Sequence, residues 1–472
     1  VLAAPQQGKK LWRFLGALTP LEQDALLYLA SAVFAIGQLF ISTEPDYIQW
    51  AEFAVIPYAI VGLFALVASR NKRMRESRHT RRGLVLSLLL LCLMVPLTVS
   101  IAQRVNNVPG VHAQDEVAVI ERCGDRVANN QNCYLNSPHT VGTGAQNFSK
   151  ATDAGAFVPY LPGMIIFGIS NGLTIPKPLR DARVSLTLFT LLVTIIALVL
   201  SRLSVDDRVR LFQFAIVLPT GALPLVTGGD DLPIIALLLL ALVLSYRKQP
   251  VLAGIAGGVA AAIKLTAWPL AFALALVQPR QSNRLARFRY GTALLAILAP
   301  IIAIASLIDP KAFFVNEILF PLGLTKVRSP AESPLIGQQL VSIFGGQLHF
   351  VVVVVLVIVG AEAALLLYRR LRPKSAATMT GYVALVFFIA ILLAPATRFG
   401  YLLYPANMAV WAIILRKLDR DLEVRHSLSE QETERLTYPG VREYASSSIS
   451  WRRFAISHFI SPRARSSSSI EP

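Results

Sequence analysis

The chain has 472 residues, of which 54% are hydrophobic and only 15% charged, with a mean hydropathy of +0.55. Soluble domains carry about 25% charged residues, so the composition excludes an ordinary soluble enzyme, and so much apolar surface excludes a disordered chain. The formal net charge of +17 would point to nucleic acid in a soluble protein, whereas in a membrane protein it marks the cytoplasmic loops, and no nucleic-acid partner is expected.

A spanning helix needs about 20 apolar residues. The clear candidates, in chain order, are 24–42, 51–69, 84–102, 184–201, 211–228, 231–246, 291–308, 347–368, 378–396 and 400–416. The first follows a basic stretch (Lys9, Lys10, Arg13) with no small-residue cleavage site, and reads as a retained anchor. Residues 156–173 are apolar but interrupted by Pro159 and Pro162. Residues 250–278 are too long for one helix and are broken between Lys264 and Pro269, so two short helices fit better. The expected fold is an all-α polytopic membrane protein with 11 to 13 membrane segments. From about Asp419 the chain turns hydrophilic and ends in Ser466 to Ser469, a composition expected to stay disordered; residues 450–460 suit the anionic inner leaflet.

Orientation follows from the basic loops. Arg70, Lys72, Arg73, Arg75, Arg78, Arg81 and Arg82 crowd one short loop, which is expected to be cytoplasmic. That places the N-terminus inside and the loops 43–50 and 104–155 outside. Arg369, Arg370, Arg372 and Lys374 mark a second cytoplasmic loop, and Arg416, Lys417 and Arg420 place the C-terminal tail inside. Residues 309–346 and the turn Gly228-Gly229-Asp230-Asp231 then lie outside. One conflict arises: 104–155 and Asp230 share a side, yet 156–173, 184–201 and 211–228 make three crossings between them. One of these segments does not cross, and irregular backbone at membrane depth is tolerated only against protein or a water-filled cavity.

The large external loop 104–155 carries adjacent acids, Asp115 and Glu116, a few residues past the third helix. A carboxylate partly desolvated at the membrane boundary gains basicity and suits a general base acting on a hydroxyl; the plain alternative is a solvated loop. Cys123 and Cys133 in the same polar segment are expected to pair if it faces outside, while Cys92 lies in an apolar run as a small buried hydrophobe. Asp230 and Asp231 either cap the helix starting at Leu232 or face the external cavity to orient an acceptor or hold a divalent ion. No His/Cys ligand spacing supports a metal, so none is assigned. Lys264, flanked by apolar residues, either binds a phosphate as a point charge or snorkels to the interface; cations at membrane depth are costly and often functional. Lys326 and Arg328, among apolar residues and prolines, suit a lid over a lipid phosphate. Arg398 beside Tyr401 and Tyr404 is a further external cation or an interfacial anchor. There is no P-loop, dinucleotide fingerprint or Ser/His/Asp context.

In this order the residues resemble the GT-C superfamily of integral-membrane glycosyltransferases, most closely actinobacterial glycosyltransferase family 87, which includes polyprenyl-phosphate-mannose-dependent mannosyltransferases. The resemblance rests on Gln114-Asp115-Glu116-Val117, on Phe157-Val158-Pro159-Tyr160-Leu161-Pro162-Gly163 with Phe167-Gly168, and on Asp181-Ala182-Arg183. It continues through Gly228-Gly229-Asp230-Asp231-Leu232-Pro233 and Ala253-Gly254, Gly257-Gly258, Lys264 and Trp268-Pro269. It implies a GT-C-like catalytic domain over 84–416, preceded by a segment 1–83 with two extra helices and followed by a cytoplasmic tail 417–472. It further implies a multi-pass plasma-membrane enzyme that moves a hexose or pentose, such as mannose, from a polyprenyl-phosphate donor to a lipid or glycan acceptor outside, with inversion. Glu116 or Asp115 would be the base, with the balance slightly toward Glu116. Asp230, Asp231, Lys264, Tyr160, Arg183, Lys326, Arg328 and Arg398 would contact donor or acceptor. No cofactor is required; a divalent metal is left open without support. The alternative is a transporter or flippase of a lipid-linked or small polar substrate. Lys264 and Pro269 partly fit it, and the long acidic external loop argues against it.

Overall fold

In hydrocarbon every backbone polar group must be satisfied within the protein, which leaves helices or a closed barrel. The computed structural model, which describes residues 17–134, 157–277, 284–322, 325, 327, 331–344 and 348–437, takes the helical solution. Its only β feature among the described residues is an isolated bridge between Glu332 and Thr397. The chain divides into two units, residues 1–415 and 416–472. Eight helices in the described residues are long and apolar enough to cross a membrane.

Helix α1 (Pro20–Ile41) opens on a capping box in which Thr19 and Glu22 satisfy each other's backbone N–H groups. It packs against α2 (Pro45–Arg70). Helix α3 (His79–Val105) carries a π-turn at Leu89–Met94. After it comes a short amphipathic helix, α4 (Asp115–Ala128), and then α5 (Ala182–Leu200) and α6 (Val205–Thr227), the latter with a π-turn at Gln213–Val217. π-turns let the hydrogen-bond ladder slip by a residue, and in both places a side chain of α2 takes up a carbonyl. Trp50 Nε1 donates to Cys92 O at 3.0 Å, and the Tyr58 hydroxyl donates to Val217 O at 2.5 Å. The same helices are joined by charge. Fully buried Asp24 of α1 meets Arg81 of α3 at 2.5 Å and Arg210 of α6 at 2.9 Å, and Arg81 also pairs with Asp206.

Three short apolar helices follow, α7 (Leu232–Tyr246), α8 (Pro250–Ile263) and α9 (Leu265–Leu276). Helix α7 is buried on every side and is packed by α5 and α8 among others. Lys264 separates α8 from α9 in extended conformation, with φ −157° and ψ 144°. The break expected between Lys264 and Pro269 is therefore at Lys264 itself. Helix α10 (Arg284–Ile308) leads to a short helix, α11 (Pro310–Phe314), continued by a π-turn at Val315–Leu319. Helices α12 (Ile336–Phe344), α13 (Phe350–Leu371), α14 (Ala376–Leu393) and α15 (Leu403–Thr437) complete the chain.

All ten clear segments coincide with helices. Residues 157–173 do not span: Pro162–Phe167 and Ile169–Gly172 are two 3₁₀ turns. Prolines at 159 and 162 keep the entry extended, and glycines at 163, 168 and 172 supply close contacts rather than helix. This removes the parity conflict, because α5 and α6 make two crossings between the loop after α3 and Asp230. The tail differs from expectation as far as Thr437. Those residues are helical, since the stretch after Pro405 lacks proline and glycine and is rich in Leu, Arg and Glu. The remainder of the tail, including 450–460 and the serine run, lies outside the described residues, as does the first basic stretch.

Candidate active site

Helix α4 lies across the end of the bundle where α3 ends and α5 begins. Its apolar residues Val117, Val119 and Ile120 are buried, and its C-terminal end is cross-linked by a disulfide between Cys123 and Cys133. Two glycines bring it against the 3₁₀ turns. A Cβ at Gly124 would overlap the backbone of Gly168, and a Cβ at Gly168 would overlap the carbonyl of Ile120. Charge fixes the same contact. Arg104 at the end of α3 grips Glu121 of α4 through two bonds of 2.6 and 2.7 Å and reaches Asp181 at 2.9 Å. Glu121 also accepts from the Ala182 N–H at 3.0 Å. Although burial works against it, Asp181 is held below the usual carboxylate range by Arg183 and Arg104.

Arg183 is part of this frame. It is fully buried, pairs with Asp181 through Nε at 2.9 Å and Nη2 at 2.8 Å, and donates from Nη1 to Ser100 Oγ, His112 O and Val226 O. With its donors taken up by protein, Arg183 ties α3, the loop before α4 and α6 together; the structure does not bring it to the cluster described next.

The N-terminus of α4 is seated on the end of α6. Gln114 N donates to Thr227 O at 2.8 Å and its amide donates to the Tyr47 hydroxyl at 2.7 Å. Glu116 therefore faces the turn that carries Asp230 and Asp231, while Asp115 is exposed beside it. Lys264 binds both aspartates, at 2.8 Å to Asp230 and 2.7 Å to Asp231. Asp231 stands at the cap position of α7 but makes no capping bond; its carboxylate instead accepts from Lys264 and, at 2.7 Å, from the Tyr404 hydroxyl. The Lys264 ammonium also lies 5.4 Å from the ring centres of Tyr160 and Tyr401, a distance at which an aromatic face attracts a cation. Lys264 does not snorkel to the interface: two carboxylates hold its ammonium inside.

Glu116 is paired with Arg398, which lies between α14 and α15. Arg398 is in extended conformation and its neighbours are pinned: Thr397 N donates to Ala331 O at 2.7 Å, Ser333 N to Thr397 O at 2.9 Å, and Phe399 N to Ser333 Oγ at 3.1 Å. Burial pushes the Glu116 carboxyl above its ordinary value, with Asp230 adding to the push and Arg398 and Lys264 opposing it. A carboxylate raised in this way is a stronger base.

Tyr160 is set in place through its neighbours in the motif and through Phe320, Asn316 and Tyr134, which sequence reading did not single out. Phe157 stacks on Phe320 with ring centres 4.2 Å apart. Val158 N donates to Asn316 Oδ1 at 2.7 Å, and the Tyr134 hydroxyl donates to Tyr160 O at 2.7 Å. Next to Asn316, Glu317 is 2% exposed and its Oε1 has no hydrogen-bond partner among the described residues. Burial lifts its carboxyl well above the ordinary glutamate value, against the pull of Tyr134 and Lys264. The signal that was available for Glu317 is an acid inside the apolar run Phe313 to Phe320. Lys326 and Arg328 lie outside the described residues. Among the described residues no group of three or more His, Cys, Asp or Glu side chains gathers as metal ligands would.

The geometry thus unites Glu116, Asp230, Asp231, Lys264, Tyr160 and Arg398, and leaves Arg183 and Asp115 aside. No curated protein and no solved structure matches the chain. The family model of glycosyltransferase family 87 matches residues 175–395, a stretch that holds Asp230, Asp231, Lys264 and Glu317 and stops short of Glu116 and Arg398. The match does not favour a transporter. Residues 175–395 are thus similar to glycosyltransferase family 87, and with its apolar helices the chain reads as an integral-membrane glycosyltransferase.

Proposed function

We propose that the enzyme transfers a hexose or pentose, such as mannose, from a polyprenyl-phosphate donor to a hydroxyl of a lipid or glycan acceptor at the outer face of the plasma membrane, with Glu116 as general base. The observation that carries this reading is the placement of a carboxylate of raised basicity against a guanidinium, beside the Asp230–Asp231–Lys264 cluster. Transfer from a glycosyl phosphate needs both partners. Glu116 takes the proton of the acceptor hydroxyl, the oxygen forms a bond to the anomeric carbon, and the bond from that carbon to the phosphate oxygen breaks with its electron pair leaving on the lipid phosphate. Attack opposite the leaving group inverts the centre. Arg398, with Lys326 and Arg328 from the segment after α11, stabilises the charge that develops on the phosphate. The aspartate pair accepts hydroxyls of sugar or acceptor, and Tyr160, Tyr401 and Tyr404 surround the cluster.

No cofactor enters this scheme, since the Lys264 ammonium occupies the position between Asp230 and Asp231 that a divalent ion would need. The basic loops and the Cys123–Cys133 pair, a bond at home in oxidising compartments, support an external site with both termini inside.

The test is transfer of radiolabelled sugar from a polyprenyl-phosphate donor into the lipid and glycan fractions of membranes. General-base contributions run to about 10²–10⁴-fold, so Glu116→Gln is expected to lose that much, and Asp115→Asn to stay near wild type. Loss in Asp115→Asn with retention in Glu116→Gln would exchange the two assignments. No incorporation from any common donor sugar by well-expressed protein would end the transferase reading with this donor class.

A further inference from the structure

The two cations of the described site differ in how firmly they are held. Lys264 has two carboxylates at 2.7 and 2.8 Å and is 8% exposed. Arg398 has one, reached through Nη1 alone; among the described residues its Nε and Nη2 have no partner, and its side chain is 30% exposed against 21% for Glu116. A guanidinium presents a planar fork that fits phosphate oxygens in pairs, and here Nε and Nη2 are the part of that fork that no described residue engages.

Resting on the polyprenyl-phosphate reading above, we propose that Arg398 is an exchangeable partner, held by Glu116 in the empty site and handed to the donor's phosphate, which releases Glu116 to act as base. The charges balance along the reaction. The donor is a phosphodiester with one negative charge, and Arg398 is shared between it and Glu116. As the acceptor proton moves to Glu116, that carboxyl becomes neutral and gives up its claim on Arg398. In the same step the bond to the anomeric carbon breaks and the phosphate gains one negative charge, so the guanidinium's countercharge passes from Glu116 to the phosphate. An interaction that strengthens only as the leaving group forms accelerates the chemical step rather than merely tightening binding.

The groups facing Glu116 support the direction of its response. Arg398 and Lys264 stabilise its ionised form and Asp230 opposes it, while Asp46 and Tyr47 of α2 and Tyr160 complete the surroundings. Removing Arg398 from Glu116 leaves burial and Asp230 opposed by Lys264, which raises its proton affinity.

Binding of undecaprenyl phosphate to the full-length protein in nanodiscs tests the exchange without turnover. Glu116→Gln, which leaves Arg398 without a competitor, is expected to bind this lipid about tenfold more tightly, a step of 1.4 kcal/mol. Arg398→Gln is expected to bind it at least as much more weakly, and the gain from Glu116→Gln should vanish in the double variant. Inorganic phosphate should show the same gain in weaker form if the headgroup alone is recognised, and no gain if the lipid is needed to place it; undecaprenol should show none. A gain with undecaprenol, or unchanged or weaker lipid-phosphate binding in a folded, monodisperse Glu116→Gln protein, would overturn the proposal. With turnover, the acid limb of kcat should lie at higher pH than that of kcat/KM, and coincident limbs would count against the exchange. Because the binding arm needs no transfer, an inactive wild type would end the donor assignment while leaving the exchange to be judged by itself.

Discussion

A lysine ammonium with carboxylates at 2.7 and 2.8 Å and tyrosine faces at 5.4 Å on two sides has two of its three N–H donors committed before any substrate arrives. Its first task is to make two adjacent aspartates compatible with burial. Removing one partner of a buried ion pair costs about 3–5 kcal/mol, because the charge left behind is uncompensated. Lys264→Met is therefore expected to lower the melting temperature in detergent sharply, and Asp231→Asn in the same chain to recover part of the loss; a Lys264→Met protein as stable as wild type would contradict the pairing. The acids and the lysine were visible in the sequence as costly residues among apolar ones. Their partnership was not, because 33 residues separate Lys264 from Asp231 and local patterning carries no information about which helix ends meet. For the same reason Asp231 read as a helix cap, a role its position permits and its side chain does not perform. Glu116 and Asp115 are a different case. One residue of helical rotation, about 100°, sends one inward and the other to solvent, and that choice became legible only once Gln114 was seen bonded to Thr227 and Tyr47.

At the scale of elements, the placement of Glu116 depends on how closely α4 lies on the 3₁₀ turns. Gly168 has no room for a side chain, since its Cβ would meet the Ile120 carbonyl, and backbone cannot step aside as a flexible side chain can. Gly168→Ala is expected to lift α4 from the turns and to lose transfer by a larger factor than it loses stability, because Glu116 rides on the displaced helix. Melting temperature and transfer measured on the same preparation check this, and an alanine variant with full transfer would show that α4 tolerates the shift. Hydropathy alone left 156–173 ambiguous, as it scores a buried 3₁₀ turn and a spanning helix alike. The prolines were the better signal, and the parity of the crossings pointed the same way. Low hydropathy does not distinguish the helical stretch to Thr437 from a disordered tail, although the residues there are good helix formers.

Across the whole molecule, the family match begins at residue 175, yet the chain before it is built into the same bundle. Helix α2 supplies Trp50 to the Cys92 carbonyl, Tyr58 to the Val217 carbonyl and Tyr47 to Gln114, and α1 supplies Asp24 to Arg81 and Arg210. The connection between α2 and α3 is exposed, and exposed connections tolerate cuts. Fragments 1–75 and 76–472, expressed together, are expected to copurify and to retain transfer, whereas 76–472 alone is expected to lose both stability and activity. Retention of transfer by the lone fragment would make α1 and α2 an accessory. The ten long apolar runs were plain in the sequence because each carries its own evidence, whereas the bonds between them are long-range and had to be seen.

Helix α7 carries a consequence for depth. Its fifteen residues make about 22 Å of helix, against about 30 Å of hydrocarbon in a bilayer. A lipid-facing helix would pay for that mismatch by thinning the membrane around it, but α7 is surrounded by protein and is free of it. The missing length must appear as a recess at one of its ends. Arg247 and the exposed Lys248 stand at its C-terminal end, where charges reach water and headgroups. On the orientation proposed above, the recess falls at the other end, above Asp230 and Asp231, and the floor of the proposed site lies below the level at which the headgroups begin. An acceptor hydroxyl that reacts there as proposed would leave bulk water behind and meet Glu116 in a medium where proton transfer and ion pairing weigh far more than at the membrane surface.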